Sequence, residues 1–523
     1  MESSCVRHTQ IPATSKLFSD FLYNYERVKP FFPHYFADPD AFKDALLQIQ
    51  YPDSRRAALI SALRPLNPGS ASLEKLAEPG TVAVVTGQQV GLFSGPAYTV
   101  FKAITAARLA HQLTESGIPA VPIFWLATED HDLAEVDHAW VFNRDAAPAK
   151  IALAPMSNGV PVGTVVPREW PIADLEDALG DLPFAGDVIA RIREAYRPGA
   201  TLGAAFLALL RDLLRDLDLV FIDPLIPEVR QIAAPLLSDA VRNIPDLLAA
   251  LRCRNAELEA AGYHAQVHID DDSSLLFLIN GKRNPLHLQQ GAFATKERTY
   301  NANELAQLGP ALSPNALLRP VMQDYLLPTI AYVGGPAEVA YMAQAQVLYE
   351  KLLGRIPVIF PRNSYTLLDA RSSKLLTKYR LKVTDLLDTH EHVRNRMAAR
   401  LIPAALRSEF ENAARQIASS LESVDAVLNE FDPTLEAAAQ KSRSKMLYQL
   451  ERMQRKIANE VMRRDERASR DADYVLHLVY PHRHLQERFY SIIPFLAKAG
   501  LDVPKRLFDE TQLACADHVV RSW

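Results

Sequence analysis

Five short runs of β-branched and other apolar residues, at 81–85, 121–126, 219–222, 330–333 and 356–360, each end in a loop bearing glycine, proline or an acid. Helical spacing of apolar positions resumes after them. Continuous apolar runs alternating with helices predict parallel βαβ units, hence an α/β fold with a Rossmann-type sheet and helices on both faces. In such sheets ligands bind beyond the carboxyl ends of the strands, where these loops fall.

The pattern changes in the last third. No glycine occurs between Arg355 and Ala499, and residues 365–480 contain only two prolines, Pro403 and Pro433. So few breakers predict long helix. Phe410, Ala414, Ile417, Leu421, Val424, Leu428 and Phe431 follow one another at steps of four and three, the heptad seam of a helix facing a partner helix. Asp432-Pro433 predicts an N-cap and first helical proline, and the next helix aligns Met446, Leu450, Met453, Ile457 and Val461. A C-terminal α-helical coiled coil or hairpin is expected.

These patterns divide the chain into an N-terminal helical segment packing on the core (1–75), the Rossmann-like core (76–370), the coiled coil (371–480) and a segment returning to the core (481–523). Two proline- and alanine-rich stretches, 144–203 and 224–310, are too long for simple crossovers and read as insertions. The second is expected to pair 265–269 with 274–279, followed by the turn Asn280-Gly281.

Composition narrows the class. Of 523 residues, 48% are hydrophobic and 23% charged, enough for a large core and unlike a disordered chain. With 57 basic and 62 acidic residues the net charge is −5, so nothing points to a nucleic-acid partner. The cysteines Cys5, Cys253 and Cys515 lie far apart, which argues against a disulfide framework or a cysteine-built zinc site and fits a reducing cytoplasm. No run approaches the ~18–20 apolar residues of a membrane span, and the polar first twenty residues do not resemble a secretory signal.

Three loops could carry chemistry. The first, Thr86-Gly87-Gln88-Gln89-Val90-Gly91-Leu92-Phe93-Ser94-Gly95-Pro96, runs from a strand into a helix bearing Tyr98 and Lys102. Glycines let backbone N–H groups approach a ligand at a helix N-terminus, though the same turn could serve packing alone. The second, Glu129-Asp130-His131-Asp132 with Glu135, Asp137 and His138, concentrates acids and histidine at a strand end. It reads as acid–base or ammonium-binding chemistry, as a metal site if His131, Glu135 and His138 share a helix face, or as an acidic helix start. A carboxylate beside His131 would favour its protonated form, and burial would oppose it. The third joins Gln323-Asp324 to Tyr332-Val333-Gly334-Gly335 and Glu338, with Arg362 after the last strand as an anion contact. The basic stretch 441–470 lacks interleaved aromatics and reads as a solvated helix face.

Residues 86–102 (T-G-Q-Q-V-G-L-F-S-G-P-A-Y-T-V-F-K), 124–132 (F-W-L-A-T-E-D-H-D), 319–341 and Leu485-Gln486-Glu487-Arg488 together resemble the bacillithiol synthase family, cysteine ligases of bacillithiol biosynthesis. The resemblance runs the length of the chain. It implies a core related to class I aminoacyl-tRNA synthetases and a coiled coil that pairs two subunits as a homodimer. It also implies amide formation between cysteine and glucosaminyl malate, with ATP as the expected activator and no metal. On that reading His131 moves a proton, Asp130 or Glu129 holds an ammonium, and Lys102 offsets anionic charge at the Gly87–Gly95 turn. Thr86, Gln88, Gln89, Gly91, Tyr98, Asp132, Gln323, Asp324, Tyr332, Gly334, Gly335, Glu338 and Arg362 would complete the binding crevice. Two other readings stay open: another ATP-dependent small-molecule synthetase or nucleotidyl transferase, and a coiled-coil scaffold with a ligand-binding domain.

Overall fold

The computed structural model describes residues 3–156, 159–432 and 435–523. All five apolar runs become strands of one wholly parallel sheet, ordered Val358–Pro361, Thr329–Gly334, Val82–Gln89, Ala120–Ala127 and Val220–Ile222. The first strand of this sheet in chain order, Val82–Gln89, lies in its middle. Construction proceeds outwards to Val220–Ile222, then returns to Thr329–Gly334 on the other side. Strand order therefore reverses beside Val82–Gln89, and the diverging connections leave a crevice at the carboxyl ends. Val82 to Val85 and Ala331 to Val333 are buried, as helices cover both faces, which is why these runs are apolar without alternation.

The helix Tyr98–Glu115 packs across Val82–Gln89 and Ala120–Ala127. Helices Lys16–Tyr23, Pro39–Gln48, Asp53–Leu63 and Ala71–Ala77 bury Phe21, Phe42, Leu59 and Leu73 in the same core cluster as one face of the sheet. Within 224–310 the hairpin differs from expectation. Ser273–Ile279 pairs with Arg283–Gln289, and 265–269 is not a strand. Asn280-Gly281 is the turn of the hairpin itself, with Gly281 at φ +83°, a conformation glycine adopts without strain. A five-stranded antiparallel sheet results, and it brings Phe277 and Arg283 over the crevice.

The glycine-free region is not helical from its start: Ser364–Leu368 is a strand. It joins His518–Ser522 in parallel, and that strand pairs with Ser3–Val6 in antiparallel, so both chain ends meet on one small sheet. Beyond it, Ala404–Phe431 and Glu436–Arg464 form a helical hairpin about 42 Å long at 1.5 Å per residue. The proline of the expected Asp432-Pro433 start lies outside the described residues. The heptad seam is covered only near the root: Phe410 is buried, but Val424 and Phe431 are 50% and 81% exposed, with Met446 and Met453 bare on the returning helix. No described helix is long and apolar enough to cross a membrane.

Candidate active site

A cavity of about 400 Å³ opens at the reversal point of the sheet. Strand ends supply Gly87, Gln88, Gln89, Trp125 and Tyr332, and the loops after them supply Glu129, Asp130 and Gly335. Helices add Tyr98, Lys102, Arg319, Glu338 and Tyr341, the hairpin adds Phe277 and Arg283, and Arg362 and Arg488 close the wall. Five cations face three carboxylates, so the wall is net positive and suits an anionic ligand.

Lys102 is fully engaged. Its Nζ lies 2.6 Å from Glu338 Oε2 and donates to Gly87 O at 2.8 Å and Gln88 Oε1 at 2.9 Å. Glu338 also accepts from Tyr332 Oη at 2.6 Å and from the Gly335 N–H at 2.8 Å. Burial alone would raise the Glu338 carboxyl, but Lys102 and these donors hold it below the usual carboxylate range. The carboxylate thereby occupies the N-terminus of helix Pro336–Leu353, the place where a bound anion would otherwise sit. Arg319 donates to Tyr332 Oη and Tyr341 Oη, both at 3.3 Å, and lies over the Trp125 ring.

Arg362 is also spoken for. It forms a bidentate pair with Glu487, which accepts further from Ser364 Oγ and the Tyr365 N–H, each at 2.8 Å. Burial pushes against ionisation of Glu487, yet the Arg362 pair and these donors bring it down to about 2. Arg488, the next residue, is exposed at the cavity wall with no hydrogen-bonded or ion-paired acceptor for its guanidinium among the described residues.

The acidic loop splits into two environments. Glu129 is 96% buried on the cavity wall, and neither carboxylate oxygen has a hydrogen-bond donor among the described residues. Arg230 Nη1 is 3.5 Å away. Burial raises the Glu129 carboxyl against the pull of Arg283 and Arg230. Asp130 instead accepts from Gln89 Nε2 at 2.6 Å and from the His131 N–H at 2.7 Å, with Arg283 Nη1 at 3.4 Å. His131 stands beside the cavity, outside its wall, its ring against Phe277 and its Nδ1 3.1 Å from Arg283 Nη1. A guanidinium can only donate, so Nδ1 is the acceptor and the ring proton belongs on Nε2.

Several expected positions lie away from the cavity. Gly91 and Gly95 pack on each other: a Cβ on Gly91 would come within 2.8 Å of Gly95 Cα, and Gly95 has φ +63°. Their role is close packing in a buried turn, not ligand approach. Thr86 donates to Val333 O at 2.9 Å and ties two strands. Gln323 and Asp324 are buried within helix Arg319–Leu326, where Asp324 accepts from Tyr349 Oη at 2.8 Å. Asp132 is exposed and caps a short 3₁₀ turn, and Gly334 ends its strand without lining the wall. The metal spacing fails because no helix carries it: Leu133–Glu135 is a 3₁₀ turn and His138–Phe142 a strand. Among the described residues no group of three or more His, Cys, Asp or Glu side chains could hold a metal ion.

Sequence reasoning left Trp125, Phe277, Arg283, Asn315, Arg319, Tyr341 and Arg488 out of the site. Arg319, Tyr341, Trp125 and Arg488 stood inside the motifs already noticed. Arg283, 152 residues from His131, carried no local signal.

Fold and site together define a Rossmann-like domain with a crevice at its strand reversal and an appended helical hairpin. Residues 1–363 match the family described as "Bacillithiol biosynthesis BshC, N-terminal Rossmann-like domain", and residues 365–522 match "Bacillithiol biosynthesis BshC, C-terminal coiled-coil domain". The chain belongs to the BshC family. It is similar to proteins named "Putative cysteine ligase BshC" from Solibacter usitatus, at 48% identity over 99% of both chains, and Koribacter versatilis, at 38% identity over 99% of both. A third, from Salinibacter ruber, is 30% identical over 92% of this chain and 91% of its own.

Proposed function

We propose that this chain is a cytoplasmic ligase that joins the carboxyl group of cysteine to the amine of glucosaminyl malate, the last step of bacillithiol biosynthesis. The observation that carries this reading is Glu129: a buried carboxylate whose nearest charged partner, Arg230, stands 3.5 Å away, on the wall of a net cationic cavity. It offers one place for a substrate ammonium among groups suited to carboxylates, and both substrates combine these charges. The names of the relatives support the choice of cysteine.

In this scheme Glu129 accepts hydrogen bonds from the ammonium, while Arg283 and the unpaired Arg488 take malate or activated-carboxylate oxygens. His131 stands beside the cavity and takes the amine proton on Nδ1 once that nitrogen is released from Arg283, whose guanidinium turns to the substrate oxygens. Asp130 and Gln89 hold the loop that positions it. Lys102 and Glu338, each fully partnered, shape the floor and keep Tyr332 in place. Amide formation needs a leaving group on the carboxyl carbon, which ATP supplies when bound. Arg488 and Tyr98 fit an anionic nucleotide better than the Glu338-capped helix end does.

The test is mass spectrometry of the product from purified protein with cysteine, glucosaminyl malate and ATP. Bacillithiol formed in proportion to enzyme supports the assignment. Its absence, with nucleotide cleavage seen only for other acid and amine pairs, would transfer the chain to a different synthetase activity.

A further inference from the structure

The three cysteines are scattered in sequence, but two of them meet. Cys5 lies on the strand Ser3–Val6, which runs antiparallel to His518–Ser522, and Cys515 lies in the turn just before that second strand. Their sulfurs are 3.5 Å apart across 510 residues of chain. Both are free thiols, Cys5 exposed and Cys515 half-buried, so small molecules reach the pair from solvent. Cys253, exposed on helix Ile244–Ala260, donates to the Glu257 carboxylate at 3.7 Å and serves as an internal comparison.

We propose that Cys5 and Cys515 form a reversible disulfide by exchange with a small-molecule disulfide, stapling the first strand of the chain to the turn that precedes the last. The sulfurs must close from van der Waals contact to the ~2.05 Å of an S–S bond. Cys515 sits in a turn outside the strand ladder, so its side chain can move without breaking the pairing of Ser3–Val6 with His518–Ser522.

Two exchanges balance the reaction. The Cys515 thiolate attacks one sulfur of the small disulfide, forming a mixed disulfide and releasing one small thiolate. The Cys5 thiolate then attacks the Cys515 sulfur and releases the second. The protein loses two protons and two electrons, and the small disulfide leaves as two thiols. The order follows from the surroundings: burial, the Cys515 sulfur and the Asp517 carboxylate push the Cys5 thiol up to about 11, so Cys5 keeps its proton longer.

The proposal is independent of the ligase reading. Full-length protein is incubated with cystine or with dithiothreitol, blocked with N-ethylmaleimide, digested and measured by mass spectrometry. The expected result after cystine is a peptide pair joining Cys5 to Cys515, at least tenfold above the dithiothreitol sample, with Cys253 outside it. The unfolding midpoint rises by roughly 2–5 °C and falls back after reduction. Cys5→Ser should stop at a cysteine adduct on Cys515 and show no rise, while Cys253→Ser behaves as the parent. Separate alkylation of Cys5 and Cys515 at every cystine concentration, or disulfide-linked dimers through Cys5, would overturn the proposal.

Discussion

Arg362 and Glu487 stand 125 residues apart in the chain and meet through two hydrogen bonds of 3.0 and 2.6 Å. The pair is buried and fixes the C-terminal segment against the end of the parallel sheet. It sets Arg488 at the cavity wall, which explains why the Leu485–Arg488 motif belongs to the site although it is remote in sequence. Gln486 seals the other side by bonding the N–H and C=O of Leu367 and the Leu478 carbonyl.

Removing one partner of this pair leaves the other charge buried. Glu487→Gln or Arg362→Met should cost about 3–5 kcal/mol. The double variant should lose less than the sum of the two. Denaturant midpoints of the four proteins, with coupling taken from the cycle, provide the measurement.

Acid should act through the same carboxylate. Glu487 is held near 2 in the folded chain, below an unfolded value of about 4.3. A depressed carboxylate contributes stability that is present above the unfolded value and lost as pH falls through the folded one. Stability should therefore decline between about pH 5 and pH 2. In Glu487→Gln this part of the decline should be missing when urea midpoints are compared at pH 7, 4.5 and 3.

Glu129→Gln and His131→Asn separate binding from proton transfer. Glu129→Gln should raise the KM of an ammonium-bearing substrate at least tenfold and leave the fold intact. His131→Asn should lower kcat by about 10²–10⁴-fold with little change in KM. Steady-state kinetics checks both, and unchanged constants in either variant would remove the corresponding role.

The glycines at 91 and 95 now predict a folding effect. Gly91→Ala puts a methyl against Gly95 Cα, a contact backbone cannot relieve cheaply. A lower unfolding midpoint should accompany any loss of activity, and the protein that remains folded should bind substrate normally in calorimetry.

The bare apolar positions along the helical hairpin predict association. Val424, Phe431 and Met453 expose apolar surface that a second copy can cover. Val424→Glu with Met453→Glu should convert a sedimenting dimer to monomer without lowering the midpoint, because neither side chain is buried within one chain.

The parallel core was legible in sequence because strands buried on both faces must be apolar throughout, as at 81–85 and 330–333. The helical hairpin was legible from its breaker-free heptads, although those heptads could not say that Phe410 is covered and Phe431 is not. Glu129, Asp130, Lys102 and Glu338 were found because charge is costly at a buried strand or helix end. Arg283 and the Cys5–Cys515 contact escaped notice because they arise from pairing across long separations. The Gly91–Gly95 turn stayed open between two readings because a glycine kept for close packing and one kept for a ligand look alike in a single chain.

The sheet that joins the two ends also orders events on the ribosome. Ser3 takes Arg521 as its strand partner, so the strand Ser3–Val6 waits for a partner translated 518 residues later. At roughly 5–20 residues per second this wait is about 25–100 s. Until the segment bearing Glu487 and Arg488 emerges, Arg362 lacks its partner and the wall lacks its last cation. A chain still short of that segment can build the parallel sheet but not the finished crevice.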